Sequence, residues 1–373
     1  MFSSYLEIID DCDNFPFIDL SSTPSNEPPS PHIYYALILP GNDATAHGYI
    51  HPSVVEAMPW TEDFRVSEPG QRPRRVTLLD SSAGADTAAA CNAAFLRQVQ
   101  AAREKDVFRA LSAKRIDEHF RVMGVHYPPL RKVTTTATSA ASPPPSREDA
   151  AGRVQLPRSA TALFGIANRG AHMNVYTRDA VTGEIRMWIP RRSAHLRTWP
   201  GKLDNSVAGG VRAEESPLEC ITHEADEEAS LDPEFVRREV RPCGAVTYVS
   251  VSGEGSGGEH GLICPDVLYT YDLEVPATTV LAPQDDEVEA FHLWDMARVK
   301  AALFAGEFKT NCNIVLIDFF VRHGVITEDN IATGPGGDDY LEILRRLRRK
   351  LPVPTSPSFA AATETGAGGG IAV

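Results

Sequence analysis

Residues 209–231 read GGVRAEESPLECITHEADEEASL, and this stretch decides the fold and the chemistry that we predict. After a glycine turn, Glu224, Glu227 and Glu228 occupy positions i, i+3 and i+4 of a short helix. Positions with this spacing are neighbours on a helix, so the three carboxylates converge. Like charges held so close repel each other, and a folded chain seldom gathers them without a cation. The alternative interpretation is a solvated acidic helix face.

The composition limits the function classes. The chain has 373 residues, 42% of them hydrophobic, which is enough for two domains and a sizeable core. Its formal net charge of −14 argues against a general binder of nucleic acids or membrane surfaces. The acidic start of the chain fits no targeting peptide, and the six cysteines are scattered. We therefore expect a cytoplasmic protein without nucleic-acid or membrane partners, and its oligomeric state stays open.

The sequence predicts four segments. Residues 1–130 form a small α+β domain, because PHIYYALIL and RRVTLLD suit strands and TAAACNAAFLRQVQAAR suits a helix. Residues 131–158 begin as a Thr/Ala/Ser/Pro-rich stretch and are predicted to be a disordered linker. Residues 352–373 are predicted to be a disordered tail. Residues 159–351 contain a strand hairpin, the acidic helix, further strands and closing helices. This order predicts an α/β fold, an α/β/α sandwich around a mixed sheet.

The glutamate stretch resembles the Nudix box. Gly209 is followed after five residues by Glu215, and after seven more by His223-Glu224, so that the glycine and all four glutamates are in register. Two positions depart from the box: His223 stands where it has arginine, and Ser230 where it has glycine.

The resemblance implies a site that cleaves a diphosphate with Mg²⁺ or Mn²⁺, ions that oxygen-only ligand sets favour over Zn²⁺. The expected metal ligands are the three helix glutamates and the backbone carbonyl of Gly209. Glu215 is expected to support the loop and helix through hydrogen bonds, and His223 to orient the carboxylates less firmly than arginine would. Nudix sites often recruit a later glutamate as ligand or base. The candidates are Glu287 and Glu289, and we favour Glu289.

A diphosphate substrate needs cationic partners. The segment PRRSAHLRTWPGKLD directly precedes the box and contains basic and aromatic side chains in a short span. We predict that Arg191, Arg192 and Lys202, with Arg197 beside them, bind phosphate, and that Trp199 stacks on a ring. The alternative is that these residues have separate structural roles.

A wider resemblance narrows the expected substrate. FGIANRGAHMNVYT, WIPRRSAHLRTWPGKLDNSVAGG, CGAVTYV, PDVLYTYDLEVP and GEFKTNCNIVLIDFFVRHGVIT are similar to the Nudix hydrolases related to thiamine pyrophosphokinase, of fungi and plants. That resemblance implies hydrolysis of oxothiamine and oxythiamine diphosphate to the monophosphates and phosphate, which is metabolite repair. His223 is a departure here too, and Glu214 stands where that family has glycine.

Three alternatives remain open. The first is hydrolysis of another nucleoside diphosphate derivative, because the box recognises the diphosphate and not the group attached to it. The second is an isomerase of the isopentenyl diphosphate type, although no catalytic-cysteine motif surrounds Cys220. The third is a non-catalytic module that binds a diphosphate.

Overall fold

The computed structural model describes residues 1–16, 33–68, 70–112, 118–127, 152–331 and 338–356. The helices and strands of the N-terminal part are, in chain order, α1 (Tyr5–Cys12), β1 (Tyr35–Ile38), β2 (Ala46–Ile50), α2 (Pro52–Ala57), β3 (Phe64–Val66), β4 (Arg75–Leu78), α3 (Thr87–Glu104), β5 (His119–Arg121), β6 (Gln155–Pro157) and α4 (Thr161–Phe164).

The N-terminal part is built on a four-stranded sheet in the order β2-β1-β4-β3. Helix α3 begins where Asp86 accepts a hydrogen bond from the Ala89 amide at 3.0 Å, the usual N-cap contact. Its apolar side, including Phe95 and Val99, is buried in one cluster with Leu37 and Val76 of the sheet. The strands predicted in PHIYYALIL and RRVTLLD are therefore β1 and β4, in an α+β arrangement.

The predicted segment boundaries need correction at three places. Helix α1 packs into the same core as the helix at residues 310–322, and not against the N-terminal sheet. Strand β6 pairs with β5, so residues 152–158 are ordered; the remainder of the predicted linker lies outside the described residues. In the predicted tail, Val353 is buried in a cluster with Val249, while residues 357–373 lie outside the described part. Isolated apolar side chains in a Pro- or Ser-rich stretch have no periodicity, so their burial is not visible in the sequence.

A buried ion-pair cluster holds α1 in place. Asp13, directly after α1, lies 3.2 Å from Arg346 Nε and 2.5 Å from Arg349 Nη1, and all three residues are less than 10% exposed. The Asp13 carboxylate also accepts the amide of Val249 at 2.9 Å. A buried charge needs such partners, and this cluster fastens both ends of the described chain to the sheet.

The elements of the C-terminal part are, in order, β7 (Asn168–Arg178), β8 (Ile185–Arg192), β9 (Val207–Gly210), α5 (Pro217–Ala229), α6 (Pro233–Glu239), β10 (Arg241–Val251), β11 (Ile263–Glu274), β12 (Val288–Asp295), α7 (Met296–Phe304), α8 (Thr310–Arg322) and α9 (Tyr340–Arg346). None of the described helices combines the length and the apolarity needed to cross a bilayer.

The sheet has the order β10-β11-β7-β8-β12, with β9 paired to the first half of β7. It is mixed, because β11 and β7 run parallel while the other pairs are antiparallel. One face buries Ala171, Met173 and Val175 against α5 and α6, and the other packs against α1, α7 and α8. The predicted α/β/α sandwich with a mixed sheet is confirmed.

Candidate active site

The site starts from the junction of β9 and α5. Ser216 caps α5: its hydroxyl accepts the Glu219 amide, and the Glu219 carboxylate accepts the Ser216 amide at 2.7 Å. This capping box and Pro217 at the first helical position fix where the helix begins. The helix is followed by Ser230, which has a left-handed φ of 54°. Glycine adopts this conformation without steric strain, whereas serine destabilises the fold there by about 1 kcal/mol.

The helix glutamates meet the backbone of β9. Glu228 is 8% exposed and accepts the Ala208 amide at 3.0 Å. Burial and the nearby Glu224 raise the pKa of Glu228 well above its usual value. Glu227 is exposed, and one of its carboxylate oxygens lies within 4.8 Å of a Glu224 oxygen and of a ring nitrogen of His223.

This geometry fits a divalent metal. Carboxylate oxygens of Glu224 and Glu227 lie within 4.8 Å of each other, and Glu228 is buried near Glu224. A cation would remove the repulsion that the protein otherwise carries at Glu228. The ligand chemistry matches Mg²⁺ or Mn²⁺.

Gly209 leaves the space that Glu224 occupies. A Cβ at this position would lie 2.1 Å from Glu224 Oε1 and 2.5 Å from its Cγ. The glycine of the box is therefore required by close contact, since its φ is not left-handed.

Replacing Gly209 with alanine is expected to displace the Glu224 carboxylate and reduce metal-dependent hydrolysis by roughly 10- to 100-fold, because an error of about 1 Å at a reacting centre has effects of this size. The measurement is the rate of Mg²⁺-dependent diphosphate hydrolysis, with a melting curve for each protein. Gly253→Ala is the matched control, because a Cβ there would meet nothing within 4 Å. Equal rates for the two variants would contradict the role given to this contact.

Glu215 and His223 support Glu224. Glu215 Oε1 accepts the Arg212 amide at 2.7 Å, and its other oxygen lies 3.3 Å from His223 Nδ1. His223 Nε2 is 3.4 Å from Glu224 Oε1. Glu224, and then Glu215, raise the pKa of His223, although burial opposes them. The histidine thus lies between the two carboxylates. An arginine at this position, as in the Nudix box, would carry a permanent positive charge.

A cavity of about 520 Å³ opens beside these glutamates. Its volume is in the range of small-molecule sites. Its lining comprises Glu118, Phe120, Arg158, Thr161, Asn168, Arg169, Gly170, His172, Arg192, Leu196, Arg197, Thr198, Ala208, Gly209, Gly210, Arg212, Glu224, Glu227, Glu228, Asp266, Leu268, Asp285, Glu287, Lys309 and Asn311. The N-terminal part contributes to this wall as well as the sandwich.

Of the predicted phosphate ligands, Arg192 lies in the lining, and so does its neighbour Arg197. Arg192 Nη1 is 3.0 Å from the buried Asp204, and Lys309 Nζ is 3.7 Å from the same carboxylate. Burial acts to raise the pKa of Asp204, but Lys309 and Arg192 outweigh it and lower the pKa to about 2. Asp204 therefore stays charged and holds two cations at the cavity wall.

Three predicted substrate ligands lie elsewhere. Arg191 is next to Arg192 on β8, so its side chain points to the other face; it donates to the Gly201 carbonyl at 2.8 Å. Lys202 donates to the Gly306 carbonyl at 2.8 Å. The ring of Trp199 covers Gly255, where a Cβ would approach it to 2.7 Å. These contacts are structural, and none of the three residues lines the cavity.

The structure also argues against Glu289, the later glutamate that the sequence analysis favoured as ligand or base. It is the extra residue of a bulge, because Val288 pairs with Arg192 and Ala290 with Arg191. Its side chain is exposed and lies outside the lining, whereas Glu287 lines the cavity. Burial raises the pKa of Glu287, and Asp285 and Glu224 add to the effect.

Sequence reasoning missed several lining residues. Lys309 and Asn311 stand at the start of α8, and Arg158 falls in the segment predicted to be a linker. His172 was also missed; it is buried, lies 2.7 Å from Asn205 Oδ1, and has its pKa lowered to about 4 by burial and then by Lys309. Of these residues, Lys309 had a signal in the sequence, because it is a basic residue directly before an apolar helix.

The comparisons with known proteins agree with this geometry. Residues 170–312 match the family model described as the NUDIX domain. An uncharacterized protein of Saccharomyces cerevisiae is 35% identical over 54% of this chain and 58% of its own length. Two chloroplastic proteins of Arabidopsis thaliana are similar: Nudix hydrolase 20 is 37% and Nudix hydrolase 24 is 36% identical, each over 52% of this chain and 48% of its own length. The chain thus spans about half the length of the curated relatives that it matches. The stretch that matches the NUDIX domain model, residues 170–312, includes β9, the glutamate helix α5, Arg192 and Lys309.

Proposed function

We propose that this protein is a divalent-metal-dependent hydrolase of diphosphate bonds. The observation that carries the proposal is the burial of Glu228 beside Glu224, at the edge of a cavity whose opposite charges are Arg192 and Lys309. Negative ligands for a metal and positive ligands for phosphate therefore share one space. That combination suits a substrate that carries several negative oxygens.

We propose thiamine diphosphate derivatives, with oxothiamine and oxythiamine diphosphate preferred, as the substrates in the cytoplasm, and metabolite repair as the role. The support is the resemblance, in several stretches of sequence, to the Nudix hydrolases related to thiamine pyrophosphokinase. The cavity volume of about 520 Å³ is compatible with a ligand of this size.

In the reaction, a water oxygen bonds to the terminal phosphorus while the bond from that phosphorus to the bridging oxygen breaks. We propose that Glu287 accepts a proton of the water and gives it to the bridging oxygen, which leaves on the organic monophosphate. Its raised pKa suits a general base. Arg192 and Lys309 offset the negative charge of the phosphate oxygens. A bound Mg²⁺ or Mn²⁺ would add Lewis-acid polarisation of the diphosphate.

The test is turnover of a panel by the full chain: thiamine diphosphate, oxothiamine diphosphate, oxythiamine diphosphate, ADP-ribose and a dinucleotide, each with and without Mg²⁺. We expect Mg²⁺-dependent release of phosphate, with the oxidised thiamine forms giving the highest kcat/KM. Preference for ADP-ribose or the dinucleotide would replace the thiamine assignment. Binding of a diphosphate without any turnover would identify a non-catalytic module.

A further inference from the structure

The wall of the cavity away from α5 is formed by the faces of three adjacent strands. Gly210 of β9 pairs with Gly170 of β7, and Gly170 pairs in turn with Leu268 of β11. Asn168 of β7 pairs with Asp266 of β11. Because side chains alternate along a strand, Asn168 and Gly170 share one face, which is the face that lines the cavity.

The distance between strands sets how far apart the β9 end and the β11 end of the cavity lie. Neighbouring strands are about 4.8 Å apart, so β11 runs roughly 10 Å from β9. The glutamates contact β9, through Ala208 and Gly209. A molecule with its diphosphate at β9 would thus place its organic group near Asn168 and Asp266.

Apolar side chains lie between these two ends. Leu268 covers Gly170, where a Cβ would come within 2.7 Å of its Cδ2. Phe120 covers Gly210, where a Cβ would come within 2.6 Å of its Cζ. Both side chains line the cavity. They offer a surface for the face of a flat ring, with the polar pair beyond it.

The polar pair has unused hydrogen-bonding capacity. Burial raises the pKa of Asp266 to about 7, although the neighbouring side chains of Asn168 and Tyr248 act to lower it. The buried Asn168 Oδ1 has no hydrogen-bond partner among the described residues. A buried acceptor without a donor destabilises the protein, so this atom needs a donor from a ligand or a water.

We propose that Asn168 and Asp266 form a subsite that recognises the hydrogen-bonding edge of a nitrogen heterocycle carried by the diphosphate substrate. An amino or lactam N–H of the ring donates to Asn168 Oδ1, and the neighbouring ring atom pairs with the Asp266 carboxyl. Leu268 and Phe120 contact the ring face. The inference deepens the proposed function and rests on it for the position of the diphosphate.

The test compares two substrates in the full chain: oxythiamine diphosphate, which has a heterocycle, and butyl diphosphate, which has none. The quantity measured is kcat/KM for oxythiamine diphosphate divided by kcat/KM for butyl diphosphate. Asp266→Asn and Asn168→Ala are each expected to lower this ratio about tenfold, mainly through KM, which is the effect of losing one buried hydrogen bond. Glu274→Gln is the matched control, because it is an exposed carboxylate at the far end of β11. Its ratio should stay within about twofold of the wild type, since it is far from the cavity. Melting curves establish that each variant is folded.

A binding experiment separates this inference from the proposed function. Thiamine, oxythiamine and uridine, which have no phosphate, are titrated calorimetrically into the wild type, Asp266→Asn and Glu274→Gln. Binding that weakens about tenfold in Asp266→Asn alone supports the subsite, even if the protein hydrolyses no diphosphate. Hydrolysis with an unchanged substrate ratio in both folded site variants overturns the subsite and leaves the proposed function standing. A wild type that binds none of the three compounds also overturns it.

Discussion

Glu228→Gln is expected to lower metal-dependent diphosphate hydrolysis by roughly a thousandfold and, at the same time, to raise the melting temperature of the metal-free protein. The first effect follows because the amide has no charge to hold the cation, and charge stabilisation of this kind contributes several kcal/mol to the transition state. The second follows because Glu228 is 8% exposed and lies near Glu224. Replacing the buried one of two neighbouring carboxylates relieves repulsion that a cation otherwise offsets.

The two effects are measured in two experiments. Hydrolysis of the best substrate in the panel is followed at saturating Mg²⁺, and melting curves are recorded with chelator and with Mg²⁺. Mg²⁺ should raise the melting temperature of the wild type and leave that of Glu228→Gln almost unchanged, because a ligand stabilises the state that binds it. Glu234→Gln, an exposed carboxylate on α6, is the control and should behave as the wild type. A Glu228→Gln protein with activity within tenfold of the wild type would exclude this glutamate as a metal ligand.

The second large effect separates two glutamates that stand two residues apart. Glu287→Gln is expected to lower kcat roughly 100-fold with a small change in KM, the range for loss of a general base. Glu287 lines the cavity, and its backbone carbonyl accepts the Ser193 amide at 2.9 Å, which fixes its position. Glu289→Gln should change kcat less than twofold, because its side chain is exposed at the bulge.

Steady-state kinetics of the two variants, with the same substrate and metal, decide between them. The two variants are well matched, because each removes one charge at the start of β12 and keeps the shape of the side chain. A larger loss in Glu289→Gln would restore the assignment favoured by the sequence. Equal wild-type rates for both variants would place the general base elsewhere in the lining.

The order of the elements predicted the sandwich, because the signals for their turns and starts are local. The hairpin around DAVTGE illustrates this: Asp179 accepts the amides of Val181 and Thr182 at 2.9 and 2.8 Å, and β7 and β8 pair on either side. Turn chemistry of this kind is local, so it is readable in a single sequence. The same holds for the capping box at Ser216, which starts the glutamate helix.

The substrate side could not be predicted in the same way. Arg191 and Arg192 are equivalent as residues in the sequence, and only the facing of β8 puts one of them at the cavity. Lys309 reaches Arg192 through Asp204, more than 100 positions earlier in the chain. Pairings over such distances depend on how the elements pack.

The sequence by itself determined the sandwich and the placement of Glu224, Glu227 and Glu228 on one helix, because helix and strand periods are set by the local backbone. Only the tertiary structure decided that Glu287, and not Glu289, lines the cavity and that Asn168 pairs with Asp266. A bulge and a strand register settle those two questions, and both are fixed by packing between elements that lie far apart in the chain.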